Sequence, residues 1–412
     1  MTNLSSRRTV IFAGGGTGGH LFPGIAVAQE LIRQDGDTRV LFVGSEKPLE
    51  RDIVGQAGFE HIALPSESPS FAPMRVVPSL LNNWRAYRQA RTILARETPS
   101  VVIGLGGFAS VPPVLAARRA RIPIVLLEQN VVPGKATRWL SRFANVVCLP
   151  WEEAAGGLPK STKTIVTGNP IRQEIEMLAG ELASGGLTPP RSPDEDRSLL
   201  VLGGSQGATT LNALVLNALE GVATQLIGWR IIHQTGASDL DEIRQRYAHL
   251  KLDADVQPFL HDMAEQYRRA TCVISRAGAT TLAELACAGL PAILVPLPTS
   301  AHDHQRLNAQ LFADRNAALL IPQQANAEAS IDLLQTALVS LLSDDERQQQ
   351  LRDAIRSLAK PNAATTVIDA MDEIWRGVPD PGQVDVTRNS HGAAPRTNGR
   401  LGRVRGRGAA RR

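Results

Sequence analysis

Thr9-Val-Ile-Phe-Ala-Gly-Gly-Gly-Thr-Gly-Gly-His-Leu-Phe-Pro-Gly24 joins an apolar, β-branched run to five glycines, a threonine and a histidine, and then to a helical pattern. A strand that turns through glycines into a helix gathers backbone N–H groups at the positive end of the helix dipole, where anions settle. Pro23 suits the first turn of that helix. The bare glycines are therefore expected to admit a diphosphate or a sugar close to the backbone. The spacing Gly14-x-Gly16-x-x-Gly19 also satisfies the dinucleotide fingerprint, so an NAD-dependent oxidoreductase is one reading. That reading asks for an acid closing the second strand. The stretch Val40-Leu-Phe-Val-Gly-Ser-Glu46 puts Gly44 and Ser45 there, with Glu46 just beyond.

Further apolar runs repeat the theme. Arg39–Val43, Ser100–Ile103, Ile122–Leu127, Asn145–Leu149 and Thr164–Thr167 read as strands, with helical stretches such as Ile25–Arg33 between several of them. They are apolar throughout and do not alternate, which predicts a parallel sheet covered on both faces. A segment rich in Gly, Pro, Ser and acids, residues 178–197, then interrupts the pattern as a linker or surface insertion. The alternation restarts at Ser198–Leu202 and continues through Arg230–His233, Cys272–Ser275 and Ala292–Pro296. Asp344–Leu358 and Ala363–Trp375 are the last helical segments. A chain of 412 residues exceeds one ordinary core, and two α/β halves facing a cleft are expected.

Bulk composition, 43% hydrophobic and 20% charged, is that of a globular protein, and no apolar run approaches the ~20 residues that span a bilayer. Cys148, Cys272 and Cys287 form no CxxC pair and stand in no zinc spacing, which suits a reducing, cytoplasmic setting. No paired acids mark a metal loop, so neither metal nor cofactor is expected. The formal charge of +4 is unevenly spread: residues 381–412 hold eight arginines against Asp385, a segment of +7 beside a body of −3. That glycine-rich tail is expected to be disordered. It would meet anionic lipid or nucleic acid without specificity, or solvent alone.

Two more glycine turns follow strands, Gly104-Leu-Gly-Gly-Phe-Ala-Ser110 and Gly203-Gly-Ser-Gln-Gly207. Three such loops at the carboxyl ends of parallel strands converge on one crevice, where ligands of these sheets bind. In Ser275-Arg-Ala-Gly-Ala-Thr-Thr-Leu-Ala-Glu284, a strand ends, and Ala279-Thr280-Thr281 opens a helix whose N–H groups and hydroxyls can hold a diphosphate. Glu284, one turn on, either accepts both hydroxyls of a ribose or is a solvated acid favoured by the helix dipole.

Taken in order, Gly15–His20, Glu128–Asn130, Gly168–Arg172, Gly203–Ala208, Ser275–Glu284 and His304–Ala309 resemble the MurG family, the peptidoglycan glycosyltransferases of family 28, over roughly residues 8–376. The resemblance implies a GT-B fold: an acceptor and membrane-side Rossmann-like domain over 1–172, a UDP-N-acetylglucosamine domain over 173–361, and a final helix, 362–378, crossing back to the first, with the tail 379–412 outside the pattern. It implies inverting transfer of N-acetylglucosamine from UDP-N-acetylglucosamine to the muramoyl 4-hydroxyl of lipid I, giving lipid II at the cytoplasmic face of the bacterial inner membrane. Carried over by motif, the donor contacts are Thr17, Gly18, Gly19, Asn130, Arg172, Ser205, the Leu260 backbone, Ala279, Thr280, Thr281, Leu282, Ala283, Glu284 and Gln305. His20 stands as the general base, with Glu128 as the alternative. Another GT-B enzyme acting on UDP-N-acetylglucosamine, with a different acceptor or as an epimerase, competes with this reading.

An anchored lipid acceptor requires a membrane-facing surface. Residues 71–96 supply Phe71, Met74, Val77, Leu80, Leu81, Trp84 and Tyr87 among Arg75, Arg85, Arg88, Arg91 and Arg96, a composition suited to an anionic interface. Half of those apolar residues are expected in the core, leaving Trp84 and its neighbours, with Arg85 and Arg88, for the membrane. Phe108 stands in the acceptor loop where the family often has tyrosine, and Thr137 where it has asparagine.

Overall fold

The computed structural model describes residues 8–68, 73–184, 197–203, 208–300, 303–324 and 326–376. Thirteen strands are present among them: β1 Thr9–Gly14, β2 Arg39–Ser45, β3 Glu60–Leu64, β4 Val101–Gly106, β5 Ile124–Leu127, β6 Val146–Leu149, β7 Thr164–Val166, β8 Arg197–Leu202, β9 Trp229–Gln234, β10 Ala254–Gln257, β11 Cys272–Ser275, β12 Ala292–Leu294 and β13 Leu319–Leu320. They form two sheets, in the orders β3-β2-β1-β4-β5-β6-β7 and β10-β9-β8-β11-β12-β13. Every pairing is parallel. Every residue of β1, β4, β5 and β6 is buried, as a sheet covered on both faces requires. Each sheet reverses its strand order beside its first strand, between β1 and β4 and between β8 and β11. Loops leaving the carboxyl ends there open a crevice.

Three of the thirteen strands, β3, β10 and β13, escape the sequence reading, and all three are sheet edges. Their residues are mostly half-exposed, so no continuous apolar run announces them. The final helix, Ala363–Arg376, returns to the first sheet as expected. Ala364, Val367, Ile368, Ala370 and Met371 join the core of Val10, Phe12, Leu21 and Val27. Arg8 pairs with Asp372 at 2.8 Å, and its guanidinium lies 4.3 Å from the centroid of the Trp375 ring. Helix Gln173–Ala183 packs instead into the second half, with Ile175 and Leu178 beside Leu200 and Leu202. The first residues of the expected linker, from 178 to 183, are therefore helical, because Leu178 and Ala179 continue its buried face. The middle of that linker and the arginine-rich tail lie outside the described residues.

Met371 is 1% exposed within the returning helix. Met371→Ala should lower the unfolding free energy by about 2–4 kcal/mol, read from urea denaturation, through lost burial and a residual cavity.

Candidate active site

The loop after β1 is built around a carboxylate. Glu50, from helix Pro48–Gln56, is 0% exposed. Its Oε1 accepts from the Gly16 N–H at 2.6 Å and from the Ser45 hydroxyl, and its Oε2 accepts from the Ser45 N–H at 2.8 Å. His61 Nε2 lies 3.8 Å from Oε2. Burial pushes the Glu50 pKa up, but His61, Ser45 and Gly16 together outweigh it and hold the carboxyl below its usual range.

This changes the meaning of the glycines. A Cβ on Gly15 would stand 2.1 Å from Glu50 Oε2, and one on Gly44 2.3 Å from the same atom. On Gly14, whose φ is +142°, it would meet Gly106 O at 2.8 Å, and on Gly18 the Phe22 ring at 2.9 Å. At these four positions the protein's own packing already leaves no room for a Cβ. Gly16 needs its φ of +98°, but a Cβ on Gly19 would meet nothing nearer than Thr17 Oγ1 at 3.8 Å. Within the loop, Gly19 alone is left bare without an internal reason. A negative charge beneath the loop, consuming the Gly16 N–H, is also a poor floor for a dinucleotide's pyrophosphate. The acid that follows β2 inward is Glu50, while Glu46 is exposed.

His20 lies in the first turn of helix Gly18–Gln34. Thr17, at the N-cap, does not cap the helix with its side chain; its hydroxyl meets His20 Nδ1 at 3.1 Å. Gly106, at a φ of +93°, lets the ring in: a Cβ there would be 3.0 Å from His20 Cδ2. Burial draws the His20 pKa below its usual value near 6.5; Glu128 and Glu50 pull it up, and His304 pushes it down. His304 belongs to helix His304–Asp314 of the second half.

Glu128 follows β5 directly and is 4% exposed. Oε1 accepts from the N–H groups of Gln129 and Asn130, both at 3.0 Å, and from Asn130 Nδ2 at 3.2 Å; Oε2 accepts from the Gly134 N–H at 3.0 Å. Those donors fold residues 128–134 around the carboxylate. Asn308, 3% exposed, then ties the loop to the second half. It accepts from the Val131 N–H at 3.0 Å and donates to Asn130 Oδ1 at 3.1 Å.

In the second half, helix Ala279–Ala288 starts at Gly278 with no side-chain cap. Among the described residues the buried Thr280 hydroxyl has no partner. Glu284 is 2% exposed, so it is no solvated acid. It accepts from Arg172 Nε at 2.9 Å and from the Tyr267 hydroxyl at 2.9 Å. Burial raises its pKa in spite of both partners. As arranged, this carboxylate is an internal anchor that joins Arg172 to Tyr267. Arg276, 7% exposed, donates to Val295 O at 3.0 Å, Pro296 O at 3.2 Å, Gln323 Oε1 at 3.0 Å and Thr210 Oγ1 at 2.8 Å, and its burial lowers its pKa to about 10. Gln305 Oε1 accepts from the Leu297 N–H at 3.0 Å. The Leu260 N–H reaches Gln234 Oε1 at 3.4 Å. Leu282 is buried and Ala283 half-buried on the same helix as Glu284. Ser205 lies outside the described residues.

Beside the first loop, Lys47 Nζ donates to Gly16 O at 3.2 Å and stands 5.5 Å from the Phe108 ring. Helix Pro73–Glu97 buries Ala86, Ala90, Ile93 and Leu94 against the first sheet. Its outer face presents Val77, Leu80, Leu81 and Trp84, which are 61%, 65%, 50% and 56% exposed. More of this stripe faces outward than the sequence suggested; of the apolar residues expected there, Tyr87 alone joins the core among those whose side chains are described. Arg85 is exposed, and the Arg88 guanidinium lies 4.9 Å from the Trp84 ring. Phe71 lies outside the described residues. No described helix is long and apolar enough to cross a membrane, and no group of three His, Cys, Asp or Glu side chains among the described residues could hold a metal ion.

Sequence reasoning missed Glu50, Tyr267 and the individual roles of His304 and Asn308. For Glu50 the signal was its i, i+4 relation to Val54, a spacing that places both on the inner face of one helix.

Residues 10–149 match the model of the glycosyltransferase family 28 N-terminal domain, and residues 198–367 that of the family 28 C-terminal domain. The UDP-N-acetylglucosamine–N-acetylmuramyl-(pentapeptide) pyrophosphoryl-undecaprenol N-acetylglucosamine transferase of Desulfotalea psychrophila is 39% identical over 364 residues, covering 88% of this chain and 95% of that protein. The crystal structure of Acinetobacter baumannii MurG superposes with a TM-score of 0.69 at 29% identity, over 89% of this chain and 99% of that one. A UDP-GlcNAc 2-epimerase from Neisseria meningitidis shares the fold, with a TM-score of 0.61 at 14% identity over 89% of this chain and 99% of that one.

Because the Glu128 oxygens each accept backbone N–H groups, Glu128→Gln sets an amide N–H against another donor. The variant should lose about 1–3 kcal/mol of stability, visible as a lower melting temperature. A fall in turnover with an unmoved melt would instead mark Glu128 as a proton acceptor.

Proposed function

The chain belongs to glycosyltransferase family 28, and from that premise we infer that it transfers N-acetylglucosamine from UDP-N-acetylglucosamine to the muramoyl 4-hydroxyl of lipid I, forming lipid II. The supporting observation in the geometry is the joining of the two halves beside Glu128, where Asn308 of the second bonds Asn130 and Val131 of the first, with the Glu128 charge also acting on His20.

The donor lies against the second half. The uncapped start of helix Ala279–Ala288, with Thr280 and Thr281, faces the diphosphate and takes up the charge that develops as UDP departs. Ser205 and Gln305 complete the diphosphate contacts, and the Leu260 backbone meets the uracil. Glu284 offers its remaining lone pairs to the ribose once Arg172 turns toward the ligand. Gly19, the loop glycine the fold leaves unexplained, gives the sugar or acceptor its closest approach to backbone. His20 takes the proton from the 4-hydroxyl as that oxygen attacks the anomeric carbon opposite the leaving UDP, and a single displacement inverts the centre. Its lowered pKa keeps the imidazole unprotonated, and so free to accept a proton, at pH 7.

The lipid-linked acceptor arrives from the membrane. Leu80, Leu81 and Trp84 enter the interface of the cytoplasmic leaflet, and Arg85 and Arg88 contact its anionic headgroups, so the protein is peripheral. Phe108 borders the acceptor path.

His20→Asn should leave UDP affinity intact and lower kcat by ~10²–10⁴. In the parent, kcat/KM should rise as pH climbs through a pKa below 6.5 and then level off, because only the deprotonated ring accepts the proton. Turnover by the asparagine variant at the parent's rate would remove His20 from the role.

Replacing Leu80 and Trp84 together by glutamate should weaken binding to phosphatidylglycerol vesicles by ~10-fold or more, measured by sedimentation, with UDP affinity unchanged. Undiminished vesicle binding would move the membrane contact elsewhere.

A further inference from the structure

We propose that Glu50 is a positioning residue for His20: its buried carboxylate clamps Gly16 from beneath and so sets Thr17, whose hydroxyl meets His20 Nδ1. The proposal rests on the reading of His20 as the base.

Burying a carboxylate is costly unless donors surround it. Glu50 is 0% exposed, yet its partners are almost all loop groups: the Gly16 N–H, the Ser45 N–H and the Ser45 hydroxyl, with His61 at 3.8 Å. Gly15 and Gly44 are both bare where their side chains would strike it. The sequence therefore gives up two side chains and buries a charge to fix one loop. That loop is held from the other side by Lys47, which donates to Gly16 O at 3.2 Å. Gly16 leads directly to Thr17, and Thr17 to the imidazole.

The charge has a second consequence. The ionisable groups that act on His20 are Glu128 from the loop after β5, His304 from the second half, and Glu50 from beneath; His61 in β3 faces Glu50 itself. Both glutamates favour the imidazolium that forms as the ring accepts a proton, and His304 opposes it. Glu50 thus shapes the loop and raises the basicity of the ring that the loop holds, without touching substrate.

The test uses the full chain and three variants, Glu50→Gln, Glu50→Asp and Gly15→Ala, with the His20 ring followed by NMR through its Cε1–H and assigned against His20→Asn. Glu50→Gln removes the charge and should lower the His20 titration midpoint by ~0.5 pH unit, shifting the acid limb of kcat/KM the same way. Its kcat should fall by ~10-fold at unchanged UDP affinity. Glu50→Asp keeps the charge but withdraws from Gly16, so kcat falls while the midpoint moves little. An unmoved midpoint with parental kcat in a folded Glu50→Gln protein overturns the proposal. Should that variant fail to fold, Gly15→Ala decides the matter, since its methyl displaces the carboxylate and leaves the charge in the chain. Reduced kcat at unchanged UDP affinity supports the clamp, and parental kcat overturns it. The midpoint is read independently of turnover. If His20→Asn stays active, the base reading fails while the coupling of Glu50 to the ring is still measured.

Discussion

Loops that leave the carboxyl ends of parallel strands expose backbone N–H groups that no ladder satisfies, and at this crevice buried glutamates answer that need. Glu50 accepts from Gly16 and Ser45, and Glu128 from Gln129, Asn130 and Gly134. Glu284, on the second half, accepts from side chains, joining Arg172 to Tyr267. An unpaired buried donor costs ~1–3 kcal/mol, so each carboxylate turns an otherwise unfavourable bend into a fixed one. The loops after β1 and β5 take their shapes from these contacts.

The central strands were legible because burial on both faces writes itself as unbroken β-branched and aliphatic runs. Cys272–Ser275 matches the sequence reading residue for residue, and Arg39–Val43 is short of its structural end by two residues. Helix Ala363–Arg376 was legible for a related reason, its apolar face recurring at Ala364, Val367, Ile368 and Met371. Edge strands gave no such signal. Glu60–Leu64 mixes an acid and a histidine with apolar residues because one of its sides has no neighbouring strand.

The site was legible as a set of loops but not as a division of labour within them. A glycine-rich turn reads the same whether a ligand or the protein's own carboxylate fills the space above its Cα atoms. Here Gly15 and Gly44 make room for Glu50, five residues beyond Ser45 and unremarkable in sequence. The pairing of Glu284 with Arg172 joins positions 112 residues apart, and only the packed fold could bring them together. The outward stripe on helix Pro73–Glu97 was underestimated because amphipathic spacing gives two apolar faces on a long helix, and of its apolar side chains that are described only Ala86, Ala90, Ile93 and Leu94 turn fully to the sheet.

The two halves share a central strand order, yet the loop after β1 and the helix start after β11 differ in their electrostatics. The first loop of the first half rests on a carboxylate that takes one of its N–H groups. The helix start after β11 in the second half lacks a side-chain cap and keeps an unpartnered threonine hydroxyl among the described residues. A dianionic leaving group is repelled by the first environment and attracted by the second. A ring that must become a cation is favoured by the first. In the proposed reaction both charges develop in one step, negative on UDP and positive on His20. Placing their stabilisers on separate sheets lets each half be tuned without weakening the other, and the Asn308 contacts to Asn130 and Val131 hold the two environments in register.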